Sequence, residues 1–421
     1  MKKIIFCILA SILFVSCKKD PKNPPEDNII NLSSNGTANC YLITNPGVYS
    51  FDATVIGNGV SGIIGSNFHT NHPTISPESV KLIWQDYYEN GEGFITELVL
   101  NENKTKVIFT TTKKSVSGNA VIAVCDADGK ILWSWHIWKP AVEVTHLAST
   151  TGFNIMNINL GATTNQAGFA TSYGMLYQWG RKDPFPNSST LTGGPETTHT
   201  HLFNITGERV AIQSSSRTDL TNNNPLFAIQ NPTICLSRDA HGAASHDWLA
   251  TEYSNDALWG NPNGFERDTA FLYINMGIKS IYDPCPVGWR VPPVNAFRNF
   301  FKNSTVHSTI SFNIADFNVK DLNGDGEITI ADDYQYGWYF EVNEGVYSYF
   351  PSATRYDGQW AMLMGSKAGV WGTYWSNSPN DPASNVGRGL VPLSFGTEPI
   401  MLTIQANSGR ADAYSVRCIK E

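Results

Sequence analysis

The chain has 421 residues, with 29 Lys and Arg against 37 Asp and Glu, and a formal net charge of -8 at pH 7. An acidic chain without a basic block is a poor partner for nucleic acid, and none is expected. Charged residues make up only 16%, aromatics 12%, and there are 35 Gly and 22 Pro, a balance that speaks against a helical enzyme or a disordered tail and for extracellular, turn-rich β-modules.

The first residues read as a leader. Lys2 and Lys3 precede an apolar run over residues 4–15, too short to span a bilayer, and the run stops at Ser16-Cys17 before Lys18-Lys19-Asp20. A small residue before a cysteine at the end of such a run is the pattern of a bacterial lipoprotein signal. Residues 1–17 are therefore expected to be a signal peptide that delivers Cys17 for lipidation. Phe14 is bulkier than the residue usual at that place. Acyl chains then form the only membrane anchor, because each buried methylene adds about 0.8 kcal/mol. The expected location is the outer membrane, facing the cell surface. Residues 18–31 are Pro-rich, charged and aperiodic, as an extended tether would be.

Within residues 32–140, residues 49–55 alternate apolar and polar positions, and residues 106–110 and 120–124 are β-branched runs. Asp126-Ala127-Asp128-Gly129 is a turn signal between two such runs and predicts a hairpin. In its second strand Ile131, Trp133, Trp135 and Ile137 share one face, opposite Leu132, Ser134, His136 and Trp138. Trp133 and Trp135 are expected in a core because isoleucines flank them. Short strands over this length predict an immunoglobulin-like β-sandwich. From residue 141 onward, long polar loops separate short aromatic segments, with one helix predicted over residues 295–302 after Pro292-Pro293.

The blocks Asn159-Leu160-Gly161-Ala162, Gly174-Met175-Leu176-Tyr177-Gln178-Trp179-Gly180-Arg181, Tyr282-Asp283-Pro284-Cys285-Pro286-Val287-Gly288-Trp289-Arg290, Tyr374-Trp375-Ser376 and Tyr414-Ser415-Val416-Arg417-Cys418 occur in this order. Together they resemble the Fibrobacter succinogenes major paralogous domain family of surface lipoproteins in Bacteroidetes and related bacteria. The resemblance covers residues 150–421 and implies a C-type-lectin-like fold and a location, not a reaction. The expected fold is thus β-dominated α+β: a β-sandwich over residues 32–140, then a C-type-lectin-like domain over residues 141–421. Cys285 and Cys418 are expected to pair, closing a long loop over the C-terminal strand. Cys40 with Cys125 is the next candidate pair.

Asp321, Asn323, Asp325, Glu327, Thr329 and Asp332 stand at positions one, three, five, seven, nine and twelve of a calcium-loop pattern, with Gly326 at six. This predicts one structural calcium ion in an insertion near residues 321–332, with the backbone carbonyl of Glu327 as a ligand. His199-Thr200-His201, His69 with His72, and His241 with His246-Asp247 lack a third ligand at convincing spacing. No nucleophile elbow, P-loop or free carboxylate pair appears, so no catalytic residues are expected. Trp338, Trp360, Trp371, Tyr374 and Trp375 crowd one stretch. Of these, Trp375 belongs in the core, and Trp360 with Trp371 form the expected ligand-binding pair. The function expected is binding of a glycan or a host or matrix protein at the cell surface. The other reading is a structural subunit of a fimbrial or surface-layer complex.

Overall fold

The computed structural model describes residues 28–60, 73–194, 197–216, 218–219, 221–238, 246–250, 253, 255–266, 274–302, 310–379, 389–390, 393–404 and 408–421. Cys17, most of the tether, His69, His72 and His241 lie outside them. Strand dominates, as the alternating patterns predict, and helices are few and short.

The predicted hairpin forms. Strand Gly118–Cys125 pairs antiparallel with Ile131–Lys139, and the Asp126 carboxylate closes the turn by accepting the N–H groups of Asp128 and Lys130 at 3.0 and 2.9 Å. Gly129 supplies the left-handed φ of 79° that other residues resist. This pair sits inside a six-stranded sheet with Cys40–Leu42 at one edge and Ser79–Gln85 on the other side; the sheet continues into Leu202–Phe203 and Arg209–Val210 from the later part of the chain. A four-stranded sheet of Ile29–Asn31, Val48–Asp52, Lys106–Thr111 and Ile95–Leu100 lies near it. Phe51 joins the two sheets by packing 5.1 Å from Trp135 and 4.9 Å from Tyr41.

Both faces of Ile131–Lys139 are covered. Trp135 and Ile137 are buried as expected, and the opposite face is buried too: Ser134 bonds Asp183 at 2.6 Å, and Trp138 donates to the Ala162 carbonyl at 2.8 Å. A strand buried on both sides needs apolar residues at nearly every position, which Gly118–Cys125 provides. One hydrophobic core consequently contains Trp84 and Trp135 together with Trp179, Trp259 and Trp375, and runs across the boundary expected near residue 140.

In the later segment, Ile419–Lys420 lies between Asn154–Met156 and Trp289–Arg290. A longer sheet runs from Ile310–Ser311 through Ile400–Thr403, Leu393–Thr397, Trp371–Tyr374 and Ala413–Ser415 to Tyr356–Asp357 and Met362–Leu363. A second aromatic core gathers Phe297, Phe300, Phe317, Trp338, Phe340, Phe350 and Phe395. The predicted helix is a 3₁₀ helix, Val294–Phe300, shorter than expected. Three residues per turn align Val294, Phe297 and Phe300 on one face, where Phe300 stacks 4.3 Å from Phe340.

Cys285 and Cys418 form a disulfide. Cys40 and Cys125 are free, against expectation, and both are buried. Cys40 and Val121 both pair with His136, from opposite sides of the strand between them. Two strand spacings, plus the four residues from Val121 to Cys125, separate the Cα atoms by roughly 16 Å, beyond the roughly 7 Å a disulfide spans. The residues that carry the family resemblance are interior braces. Arg417, 1% exposed, donates to Asn159 Oδ1 and to three further oxygens on Met156, Ser348 and Tyr349. Asp283 accepts from Lys279 Nζ and from the N–H groups of Cys285 and Val291.

Candidate ligand-binding cleft and calcium loop

The aromatic stretch divides between core and surface. Trp338, Tyr374 and Trp375 are fully buried, whereas Trp360 is 52% exposed. Trp371 is half-buried in strand Trp371–Tyr374. The Arg355 guanidinium and the Lys367 ammonium stand 5.5 and 5.3 Å from its ring, a cation–π arrangement that fixes the ring.

Trp360 stands on the tight turn between Tyr356–Asp357 and Met362–Leu363. The Asp357 carboxylate builds that turn by accepting the N–H groups of Gln359 and Trp360 at 2.9 and 3.2 Å. The preceding residues of that turn, Asp357, Gly358 and Gln359, line a polar cleft of about 230 Å³ with Arg238, Arg355, Asp412 and Tyr414 among others; Trp360 is not among its described lining residues. Asp412 accepts the Gly358 N–H at 2.7 Å and the Tyr414 hydroxyl at 2.9 Å. Burial pushes its carboxyl above the usual range, and the nearby Arg355 opposes this. Arg355 lies 3.9 Å from Asp357 and reaches the Tyr414 hydroxyl at 3.5 Å. Cations, carboxylates and an amide thus face one small space, next to the turn that carries the exposed Trp360. Both carboxylates are engaged by backbone N–H groups, an arrangement for holding hydroxyls.

Trp360 and Trp371 are the candidates legible in sequence, and Trp371 is not among the described residues lining this cleft. Arg355, Asp357, Gln359, Asp412 and Tyr414 carry no local motif, because the sheet brings together Tyr356–Asp357 and Ala413–Ser415 from distant parts of the chain.

The calcium-loop residues form a chain of side-chain-to-backbone turns. Asp321 accepts the N–H groups of Gly324 and Gly326 at 2.6 and 2.8 Å, Asn323 accepts that of Asp325 at 2.9 Å, and Asp325 accepts that of Glu327 at 2.8 Å. The Asn323 amide donates to Asp325 at 3.0 Å, so the side chains at positions three and five meet, while Asp321 is engaged by backbone N–H groups of the loop. Hydrogen bonds from these backbone groups hold the Asp321 carboxyl below its usual range. The closing acid is arranged differently. Asp332 bonds the Thr329 hydroxyl at 2.6 Å at the start of helix Ile330–Asp333. The next residue, buried Asp333, ties both ends of the loop by accepting the N–H groups of Leu322 and Thr329. Among the described residues, no three His, Cys, Asp or Glu side chains stand together as a group able to hold a metal ion; the amide of Asn323, the hydroxyl of Thr329 and the Glu327 carbonyl would have to complete one. His199 and His201 lie in a loop at the surface, with His199 Nδ1 2.8 Å from the Thr200 carbonyl.

No protein family, curated protein or solved structure matches this chain. Among the described residues, no helix is long and apolar enough to cross a membrane.

Proposed function

We propose that this chain is a non-enzymatic lipoprotein of the outer membrane, tethered by lipid on Cys17, that binds an extracellular glycan at the cell surface. The observation that supports the reading is Trp360: a large indole left half in solvent on the turn whose Asp357 and Gln359 line a cleft of hydrogen-bonding groups. A flat ring covers the apolar face of a pyranose, while Arg355, Asp357 and Gln359 bond its hydroxyls. The family resemblance, with its implied lectin-like fold and surface location, points the same way. A glycan array probed with the mature chain, repeated with Trp360→Ala, tests the proposal. Binding that falls at least about tenfold in the variant is expected, a loss of about 1.4 kcal/mol. An array without signal, or an unchanged one for Trp360→Ala, would remove the reading. A structural calcium ion in the loop of Asp321, Asn323, Asp325, Glu327, Thr329 and Asp332 belongs to the same proposal. Its support is the twelve-position pattern and the side-chain-to-backbone turns that Asp321, Asn323 and Asp325 make within the loop.

A further inference from the structure

We propose that a second cleft, where the Ser79–Gln85 and Gly118–Cys125 sheet meets the segment 161–203, is a binding site for an uncharged oligosaccharide of two or three residues. It is separate from the Trp360 cleft and does not depend on that reading.

The cleft encloses about 530 Å³, within the about 300–1,000 Å³ usual for ligand sites. Its floor is built by a buried polar chain. The Tyr177 hydroxyl meets His136 Nδ1 at 3.2 Å, and His136 Nε2 meets Asn119 Oδ1 at 2.9 Å. The Asn119 amide donates to Asp86 at 2.7 Å and to the Gly161 carbonyl at 3.0 Å. The Asn119 backbone N–H bonds the other Asp86 oxygen at 2.7 Å. Asp86 is fixed from behind, and each of its oxygens keeps a lone pair for a ligand.

The walls add donors and acceptors. Asn187 lines the cleft, is 3% exposed, and its side-chain nitrogen has no hydrogen-bond partner. A sealed amide of this kind costs about 1–3 kcal/mol, and only a ligand oxygen or an ordered water in the cleft can satisfy it. Ser189 donates to the Thr198 carbonyl, which leaves its oxygen lone pairs for a ligand hydroxyl, whereas Ser188 Oγ donates to the Thr190 carbonyl and already accepts the Thr190 N–H. Tyr88 and Phe203 stack on each other at 5.8 Å, and Arg209 covers Phe203 at 4.9 Å. This wall is apolar, but its ring faces are occupied, so it is not an ammonium cage.

Charge decides the ligand class. Asp86, Glu89 and His201 line the cleft, and no Lys or Arg does among its described lining residues; of the nearby cations, Lys114 is paired with Glu92 and Arg209 stands over the Phe203 ring. An anionic sugar would be repelled. A neutral sugar supplies hydroxyl donors to Asp86 and Ser189 and an oxygen to Asn187.

Isothermal titration of the mature chain with cellotriose, maltotriose, mannotriose and triacetylchitotriose, with trigalacturonate as the charged comparator, tests this. At least one neutral trisaccharide is expected to bind with Kd below about 1 mM. Ser189→Trp, at an exposed rim position, fills the entrance without touching the core and should weaken that binding at least about tenfold, with Asn187→Ala also weakening it. In a Trp360→Ala background, which removes any contribution of the other cleft, the binding that Ser189→Trp weakens should persist. The proposal is overturned if no neutral probe binds, if trigalacturonate binds as tightly, if folded Ser189→Trp binds normally, or if Trp360→Ala abolishes the binding.

Discussion

The disulfide carries a stability cost that can be worked from its place in the chain. Cys285 and Cys418 are separated by 133 positions. In the chain-entropy description, a cross-link closing so long a loop removes entropy from the unfolded chain worth about 5 kcal/mol at 25 °C. That equals the whole stability of a marginal domain, about 5–15 kcal/mol. Both cysteines are fully buried, so the double substitution Cys285→Ala and Cys418→Ala adds small packing losses to the entropic one. The strand it anchors is short: Ile419–Lys420 pairs through Ile155, Trp289 and Arg290, and the Cys418 carbonyl accepts the Met156 N–H at 2.8 Å. Urea unfolding followed by tryptophan fluorescence should show the double variant losing about 5 kcal/mol, with a steeper denaturant dependence because the freed unfolded chain exposes more surface. A loss below about 1 kcal/mol with unchanged slope would refute the reasoning, since the cross-link would then not be constraining the unfolded chain.

Other outcomes follow from buried charge. Burial pulls His136 down from 6.5 to about 3, so below about pH 6.5 the unfolded chain takes up a proton that the folded chain refuses, and stability present at higher pH is lost as pH falls toward 3. Between about pH 8 and pH 5, wild type should lose about 2 kcal/mol relative to His136→Gln in paired urea titrations; equal pH dependence in the two would show that His136 titrates normally. Because Lys182 pairs with Asp183 at 2.6 Å with both nearly inaccessible, Lys182→Met should cost about 3–5 kcal/mol by denaturant unfolding. Adding Asp183→Leu should recover much of that loss, and no recovery would mean that the cost is packing around Trp133. Calcium at about a hundred times its dissociation constant should stabilise the chain by about 2.7 kcal/mol. Asp321→Ala should abolish that gain in a thermal melt while leaving the calcium-free protein folded; a wild-type melt indifferent to millimolar calcium would leave the loop as a turn.

Local chemistry made several features legible from sequence. Alternation and β-branched runs announce strands, because side chains on a strand fall on opposite faces. Asp126 and Gly129 announce their turn for the same kind of reason: a short acceptor and a residue free of Cβ satisfy it within four positions. The spaced oxygens of Asp321, Asn323 and Asp325 are likewise read within a few residues, and in the structure each caps backbone N–H groups of the same loop. Trp375 is buried and Trp360 exposed as expected, whereas Trp371, expected beside Trp360 as an exposed ring, is half-buried in its strand. The interior roles of Asn159, Asp283 and Arg417 were not legible, since each is defined by partners far along the chain.

What the sequence by itself determined is therefore the β-dominated class, the leader pattern, the hairpin, and the candidate pairing of Cys285 with Cys418. Tertiary structure alone decided that Ile131–Lys139 is covered on both faces, that Cys40 lies out of reach of Cys125, and that Asp357 and Asp412 share a cleft. It also decided that Asp86, Asn119 and Asn187 meet around one space. The physical reason is range: turns and alternation are set by neighbours a few bonds away, whereas a cleft is set by which faces the sheets bury against one another.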